Sequence, residues 1–407
     1  VVMTLFIIAM PKFKKLQELI DKLNGVAREI LTGLPVIRAF NKEKTEEERF
    51  DKANFDLMKA NIFVNRAMSI MMPALMFIMN GITVLIIWAG GHGVEEGAIQ
   101  VGDMMAFIQY TMQIVMAFLM ISMISIMLPR AAVAADRVDE ILTSRTAIED
   151  PKTPEKLEES RKGEVKFDHV SFRYPGAEED VLHDISFTAE KGQMIGVIGG
   201  TGSGKTSLVN LIPRFYDCTS GEVKIAGKNI ADYSLDKLRE KIAVVPQKAV
   251  LFSGSIRSNM KWGKEDATED EMWKALEVAQ AEEFVKKKEN GLDAKVEQGG
   301  RNFSGGQRQR LTIARALVKK PEILILDDSS SALDYATDAA LRMGLRKSFP
   351  ETTIFIVSQR AASILHADQI LVLDDGKMVG KGTHEELLKS CEVYREIYES
   401  QFGKGER

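Results

Sequence analysis

The segment Gly199-Gly200-Thr201-Gly202-Ser203-Gly204-Lys205-Thr206 fits the pattern G-x-x-x-x-G-K-[ST]. Glycines at this density let the backbone turn so that successive N–H groups face an anion. Lys205 adds a point charge suited to β- and γ-phosphates, and the Thr206 hydroxyl, followed by Ser207, is suited to Mg²⁺. A chance glycine loop needs no particular flanks. This one follows the apolar run Met194 to Ile198 and precedes a helix-type segment, which is the context phosphate binding requires. A second run, Ile323-Leu324-Ile325-Leu326-Asp327, reads as a buried strand ending in a carboxylate that can hold Mg²⁺ through its water shell. Alone it is a strand meeting a loop; beside the glycine loop it is the other half of a nucleotide site. A third segment, Asn302-Phe303-Ser304-Gly305-Gly306-Gln307-Arg308-Gln309-Arg310, opens an amphipathic helix. Ser-Gly-Gly at a helix start presents N–H groups and a hydroxyl to an anion, although the same residues also make an ordinary N-cap.

These residues need rigid elements to hold them. Val165 to Val170 alternates in polarity, whereas Met194 to Ile198, Ile323 to Leu326 and Thr353 to Val357 are continuous apolar runs, as in buried parallel strands. Strands alternating with helical segments predict an α/β domain over 165–402. Residues 143–164, with Pro151, Pro154 and a dense charge mixture, read as a linker.

The first part of the 407-residue chain has a different character. Ala67 to Gly90 and Met104 to Leu128 are apolar stretches long enough to span a bilayer as helices. The loop Gly91 to Asp103 carries Glu95, Glu96 and Asp103 but no lysine or arginine, while Lys52, Lys59 and Arg66 flank one stretch and Arg130 and Arg137 the other. Positive charge marks the cytoplasmic side, so the short loop faces outward and everything after residue 130 is cytoplasmic. The opening run Val1 to Met10 is too short to cross a membrane and has no signal-peptide anatomy. It reads as the tail of a helix, in a chain expected to lack its N-terminal membrane helices. Gly33-Leu34-Pro35 predicts a break between two long helices in the polar stretch Pro11 to Asn65.

Composition excludes some partners. A net charge of −4 offers no basic face for nucleic acid. Cys218 and Cys391 stand far apart, in no metal-ligand spacing, as suits a reducing compartment. Fifteen of the 20 methionines precede residue 130; they suit either promiscuous apolar binding or gap-filling between membrane helices. Asn80, Gln109 and Gln113 could line a substrate path or bond between helices.

The glycine loop, then Ser-Gly-Gly-Gln-Arg-Gln-Arg, then the strand ending in Asp327, then Ser331-Ala332-Leu333-Asp334, in that order, resembles the ATP-binding cassette family over Glu164 to Phe402. The resemblance implies ATP and Mg²⁺ as ligands, with Thr206, Gln247 and Asp327 at the metal. It implies that Tyr174 stacks on adenine and that Gln247 senses the membrane domain. It also implies that Ser304, Gly305, Gly306 and Gln307 contact ATP on a second cassette, in a head-to-tail dimer. The stretch 33–40 (GLPVIRAF) looks like the exporters' second coupling helix, which docks on the partner's cassette, and the two apolar stretches like the last two of six membrane helices. The fold class implied is a partial helical transmembrane bundle of the type IV exporters (1–142), followed by an α/β cassette.

Two positions depart from the family pattern. Asp328 stands where a glutamate usually polarises the attacking water, and Gln359 where a histidine usually follows the strand. In addition, Glu297-Gln298-Gly299-Gly300-Arg301 replaces the usual Gly-Glu-Arg-Gly stretch, and His366 reads as a surface residue. A carboxylate an ångström out of place costs on the order of 10²-fold in rate, and glutamine cannot carry an imidazolium charge. The expectation is a subunit whose own site, with Lys205, Gln247, Asp328 and Gln359 at the reacting end, hydrolyses slowly. Its intact Ser304–Gln307 segment would serve a partner half-exporter in a multidrug-type heterodimer in the cytoplasmic membrane. A homodimeric lipid or peptide exporter and an ATP-gated sensor subunit are the alternatives.

Overall fold

The computed structural model describes residues 2–144, 146–152 and 161–403, and the chain divides into two compact units, Val1–Ser144 and Arg145–Arg407. Pro154, expected in the linker, lies outside the described residues.

The first unit is three long helices: α1 (Val2–Ala39), α2 (Glu43–Glu95) and α3 (Val101–Thr143). The expected break at Gly33-Leu34-Pro35 does not occur. Helix α1 runs through it to Ala39, so the stretch 33–39, expected to form part of a coupling helix, is the last turns of α1. The actual stop lies at Asn41. Its φ of 54° is left-handed, a geometry asparagine tolerates. The Lys42 N–H then reaches the Ile37 carbonyl (2.9 Å) and the Asn41 N–H the Arg38 carbonyl (3.2 Å). That pair of bonds satisfies the helix end. Pro35 forfeits a single intrahelical bond near that end, too little to override the cap. Helix α2 packs back on α1, with Val26 and Ala53 buried and Arg49 paired to Glu29 at 2.6 Å.

Among the described residues, Pro73–Glu95 of α2 is long and apolar enough to cross a membrane, and only 6% of its most apolar window is buried. A core helix of a soluble protein would be mostly covered. Phe77 and Trp88 here, and Tyr110 and Ile114 on α3, are instead exposed apolar surface. The expected span 104–128 falls within α3. The loop between the helices shrinks to residues 96–100, because the Gln100 backbone N–H bonds Asp103 (2.9 Å) and starts α3 there. Asn80, Gln109 and Gln113 are all exposed.

The second unit is built on two sheets. The smaller orders β2 (Leu182–Ala189), β1 (Val165–Phe172), β4 (Ser220–Ile225) and β5 (Lys228–Asn229). The larger orders β12 (Lys377–Gly382), β11 (Gln369–Asp374), β3 (Met194–Gly199), β10 (Thr353–Val357), β9 (Ile323–Asp327) and β6 (Ile242–Val245). From β11 to β6 its strands are parallel. A short pair, β7 (Gly254–Ser255) and β8 (Lys295–Val296), stands apart. The helices are α4 (Lys205–Leu211), α5 (Leu235–Lys241), α6 (Ile256–Lys261), α7 (Glu269–Val278), α8 (Glu282–Lys286), α9 (Gly305–Val318), α10 (Tyr335–Ser348), α11 (His384–Ser390) and α12 (Glu392–Phe402).

Strands β3, β9 and β10 are buried along their whole length, which is why they are unbroken apolar runs. Side chains alternate between faces. Met194, Ile198, Leu324 and Leu326 enter one core with α7 and α9; Ile195, Val197, Ile323 and Ile325 enter the other with the antiparallel sheet. At the surface Glu271 of α7 ties together the segment after α6 and the segment after α9, holding Lys264 at 2.9 Å and Lys320 at 2.7 Å. Hydrogen bonds from Lys320, then Lys264, then the Thr268 backbone push its carboxyl down to about 2. A carboxyl lowered on folding adds stability above its unfolded value of about 4.3, and that stability vanishes as pH falls toward the folded value. Glu271→Gln should therefore lower the cassette's melting temperature at pH 7. The gap from the parent should close between about pH 4.5 and 2; a gap constant across that window would contradict the assignment.

Candidate functional site

Parallel register puts the chemistry in one place. Val357 stands opposite both Asp327 and Val197, and Val245 opposite Leu326. The carboxyl ends of β3, β10, β9 and β6 are thus neighbours, and each runs directly into a candidate segment. These are the glycine loop after β3, Gln359 after β10, Asp327 and Asp328 after β9, and Gln247 after β6. Ligands bind in open α/β sheets at this edge.

The crevice is a cavity of about 360 Å³ lined by Thr201, Gly202, Gly204, Lys205, Thr206, Ser207, Gln247, Asp327, Asp328 and Gln359, with Val181, Val357 and Ser358. Gly199, Gly200 and Ser203 do not line it but are bonded by Lys205, which does. The Lys205 Nζ donates to the Gly199 carbonyl at 2.9 Å and the Gly200 carbonyl at 2.5 Å, with Ser203 Oγ at 3.5 Å. Two glycines are obligatory here. A Cβ on Gly199 would lie 2.1 Å from the Leu373 carbonyl oxygen, and Gly204 has φ 92° with Leu182 Cδ2 2.7 Å from where its Cβ would be. That left-handed residue starts α4, so its N-terminus opens onto the cavity.

Thr206 Oγ1 donates to Asp327 Oδ1 at 3.1 Å, and Gln247 Nε2 donates to Asp328 Oδ2 at 3.2 Å. Burial raises the Asp327 carboxyl, and the Asp328 charge raises it further against the Thr206 bond. Burial also raises Asp328, opposed by Gln247, Lys205 and Arg360. Lys205 is lowered by burial, opposed by both aspartates. Two carboxyls raised by burial beside a hydroxyl and an amide oxygen form a hard-oxygen set whose charged form a divalent cation would favour. The oxygen donors present fit a cation such as Mg²⁺, and Thr206, Asp327 and Gln247 are the residues that could hold it. No group of three or more His, Cys, Asp or Glu able to hold a metal exists among the described residues.

Other expected residues lie elsewhere. Tyr174 does not line the cavity. Its ring packs edge-on against Phe172 and Tyr216, and its hydroxyl meets Ser207 Oγ at 2.9 Å. Ser304, Gly305, Gly306 and Gln307 are also outside it. They form the start of α9, where Ser304 Oγ accepts the Gln307 N–H (3.3 Å) and the Gln307 side chain accepts the Ser304 N–H (3.1 Å). This capping box leaves the Gly305 surface open. A Cβ on Gly306 would lie 3.0 Å from the Ala332 carbonyl oxygen, so α9 starts against the loop Ser331–Asp334. Gln298 and His366 are exposed.

Two residues near the site had no signal in the sequence reading. Arg360 donates to the Leu333 and Ser331 carbonyls at 3.2 Å each. Gln401, on α12, bonds the loop after β10. Arg360 adjoins an expected site residue and could have been found that way; Gln401 lies 42 positions from Gln359 with no motif around it. A larger cavity, about 720 Å³, lies at the opposite, amino-terminal strand edge. Two of its lysines pair with glutamates, Lys191 with Glu351 and Lys320 with Glu271.

Comparison with known proteins agrees with this geometry. Residues 182–331 match the family described as ABC transporter, and residues 3–118 match the ABC transporter transmembrane region. An "Uncharacterized ABC transporter ATP-binding protein" of Mycobacterium tuberculosis is 43% identical over 395 residues, covering 96% of this chain and 68% of the relative. A "Probable multidrug resistance ABC transporter ATP-binding/permease protein" of Bacillus subtilis is 37% identical over 390 residues (96% and 66%). An "ATP-dependent lipid A-core flippase" of Desulfotalea psychrophila is 34% identical over 388 residues (95% and 67%). Among solved structures, a bacterial Atm1-family ABC exporter with ATP bound matches with a TM-score of 0.82 at 27% identity, covering 100% of this chain and 71% of that one. The chain belongs to the ABC transporters, as an exporter half-transporter in which a helical transmembrane region leads into a cytoplasmic α/β cassette that binds ATP to drive transport.

Proposed function

We propose that this chain is one half of a heterodimeric exporter of small lipophilic molecules, and that its own site holds Mg²⁺-ATP but turns it over slowly. The observation that carries the reading is the placement of the two departures. Asp328 and Gln359 both line the cavity of the chain's own glycine loop. The Ser304–Gln307 segment, unaltered, lies outside that cavity on an open helix start. Loss at one place and retention at the other is what a division of labour between two subunits predicts.

In this reading the glycine-loop amides and Lys205 grip the β- and γ-phosphates. Thr206, Asp327 and Gln247 would hold Mg²⁺, which would supply neutralisation of phosphate charge. Asp328 orients the attacking water from one methylene too far back, and Gln359 contacts the γ-phosphate without a positive charge. Tyr174 would leave Ser207 to meet adenine. The partner's cassette closes over this ATP, while Ser304, Gly305, Gly306 and Gln307 close over the partner's. The two apolar stretches, crossing the cytoplasmic membrane, contribute to the substrate cavity. The multidrug name of one relative supports a lipophilic substrate; the flippase name of another favours a lipid as a second reading.

Two measurements test this. Lys205→Met should weaken Mg²⁺-ATP retention by the purified chain about 10- to 100-fold, the cost of a lost charge-assisted contact. Mixing the chain with its partner half-exporter should raise ATPase activity well above this chain alone, together with ATP-dependent uptake of a lipophilic dye into inverted vesicles. Equal activity from this chain alone would remove the heterodimer.

A further inference from the structure

The loop after β10 is held from both sides. From one side comes Gln401, near the end of α12. Its Oε1 accepts the Ala361 N–H at 2.8 Å, and its Nε2 donates to the Gln359 carbonyl at 2.7 Å. A single side-chain amide thus satisfies a backbone donor and a backbone acceptor on either side of Arg360. From the other side, Arg360 donates Nη1 to the Leu333 carbonyl and Nη2 to the Ser331 carbonyl, with its guanidinium 5.4 Å from the Tyr335 ring centre. Helix α12 is anchored independently of these bonds. Tyr394 is fully buried, its hydroxyl meets His384 Nδ1 at 2.7 Å, and Ile397, Tyr398 and Phe402 pack on the core. Gln401 therefore projects from a fixed base.

We infer that Gln401 is a positioning residue for the ATP site. Through it α12 sets the backbone that carries Gln359 and, one link further, through Arg360, the loop Ser331–Asp334 against which α9 starts. The carboxy-terminal helix is in this way coupled to a nucleotide crevice that it does not line. The inference goes beyond the proposed division of labour and needs only that the crevice takes ATP.

The test uses the full chain in detergent with Gln401→Leu, Arg360→Met and the double variant. Leucine keeps comparable bulk and loses both bonds, so a packing role would leave it unaffected. Hydrogen exchange is read at residues 359–361 and 331–334, alongside affinity for a fluorescent ATP analogue with Mg²⁺. Gln401→Leu should speed exchange in both segments about 3- to 10-fold, the effect of a lost hydrogen bond at a solvent-accessible site, and weaken the analogue similarly. If the chain of contacts is a single link, the double variant should exchange at 331–334 no faster than Arg360→Met. Gln401→Glu keeps an acceptor but sets a second one against the Gln359 carbonyl. It should speed exchange over the parent at neutral pH, by losing the bond to the Gln359 carbonyl, and return toward the parent as the carboxylate protonates and donates again. Unchanged exchange at 331–334 in Gln401→Leu, or single effects that multiply in the double variant, would overturn the inference. Failure of the parent to retain the analogue would sink the ATP reading and with it the affinity arm, while the exchange arm would still decide whether α12 sets the two loops.

Discussion

Asp328→Glu combined with Gln359→His is expected to raise ATP turnover at this chain's own site by about 10²-fold. The argument rests on distance and charge. Asp328 Oδ2 is engaged by the Gln247 amide at 3.2 Å, and its carboxyl lies in the same cavity as the glycine loop. One added methylene moves the carboxylate about an ångström toward the attacking water, the scale on which positioning changes rates by that factor. Histidine at 359 restores a group that can carry positive charge against the γ-phosphate. One cost opposes the gain. Residue 328 has φ 45°, a left-handed geometry that aspartate tolerates better than glutamate, at a penalty of about 1 kcal/mol. A 10²-fold rate gain corresponds to about 2.7 kcal/mol of barrier, so the gain wins. Steady-state ATPase of the purified variant, with Mg²⁺-ATP retention measured in parallel, decides it. A double variant that holds ATP and is no faster would mean that residues 328 and 359 do not limit turnover at this site.

How far such reasoning reaches from sequence depends on how local the cause is. The run ending at Asp327 is legible because every residue of β9 is buried, leaving no polar position to disguise it. The glycine loop is legible because a close approach such as that of Gly199 to the Leu373 carbonyl admits no side chain. The stop of α1 is misread for the opposite reason. Gly33 and Pro35 are general breakers, but a specific pair of backbone bonds closing at Asn41 outweighs them. Tyr174 is legible as an aromatic near the site, yet its hydroxyl needs a partner and finds Ser207. Gln401 is not legible at all. Its role comes from where α12 docks, and no periodicity or spacing encodes which backbone amide a distant side chain will meet.

Gly305→Asp is expected to reduce ATPase activity of the assembled transporter by about 10²- to 10³-fold while leaving this chain's own Mg²⁺-ATP retention unchanged. Steric cost is absent within the chain, since nothing lies within 4 Å of where the new Cβ would be. Helix α9 should not suffer, because an acidic residue in the first turn, just after the Ser304 cap, is favourable toward the helix dipole. The chain's own cavity does not include this position, so its nucleotide should not sense the change directly. What changes is the open start of α9. Its free N–H groups and the Ser304 hydroxyl present positive potential to an anion from outside, and a carboxylate there opposes a triphosphate on a facing cassette. Removing a donor aimed at developing charge typically costs 10²- to 10³-fold, and replacing it with a like charge costs at least as much. The measurement is ATPase of the mixed subunits, with melting temperature and nucleotide retention of the variant chain as controls. Full activity in the mixture would mean that the Ser304–Gln307 segment completes no site on the partner. Lost retention in the isolated chain would mean that the segment serves its own crevice instead.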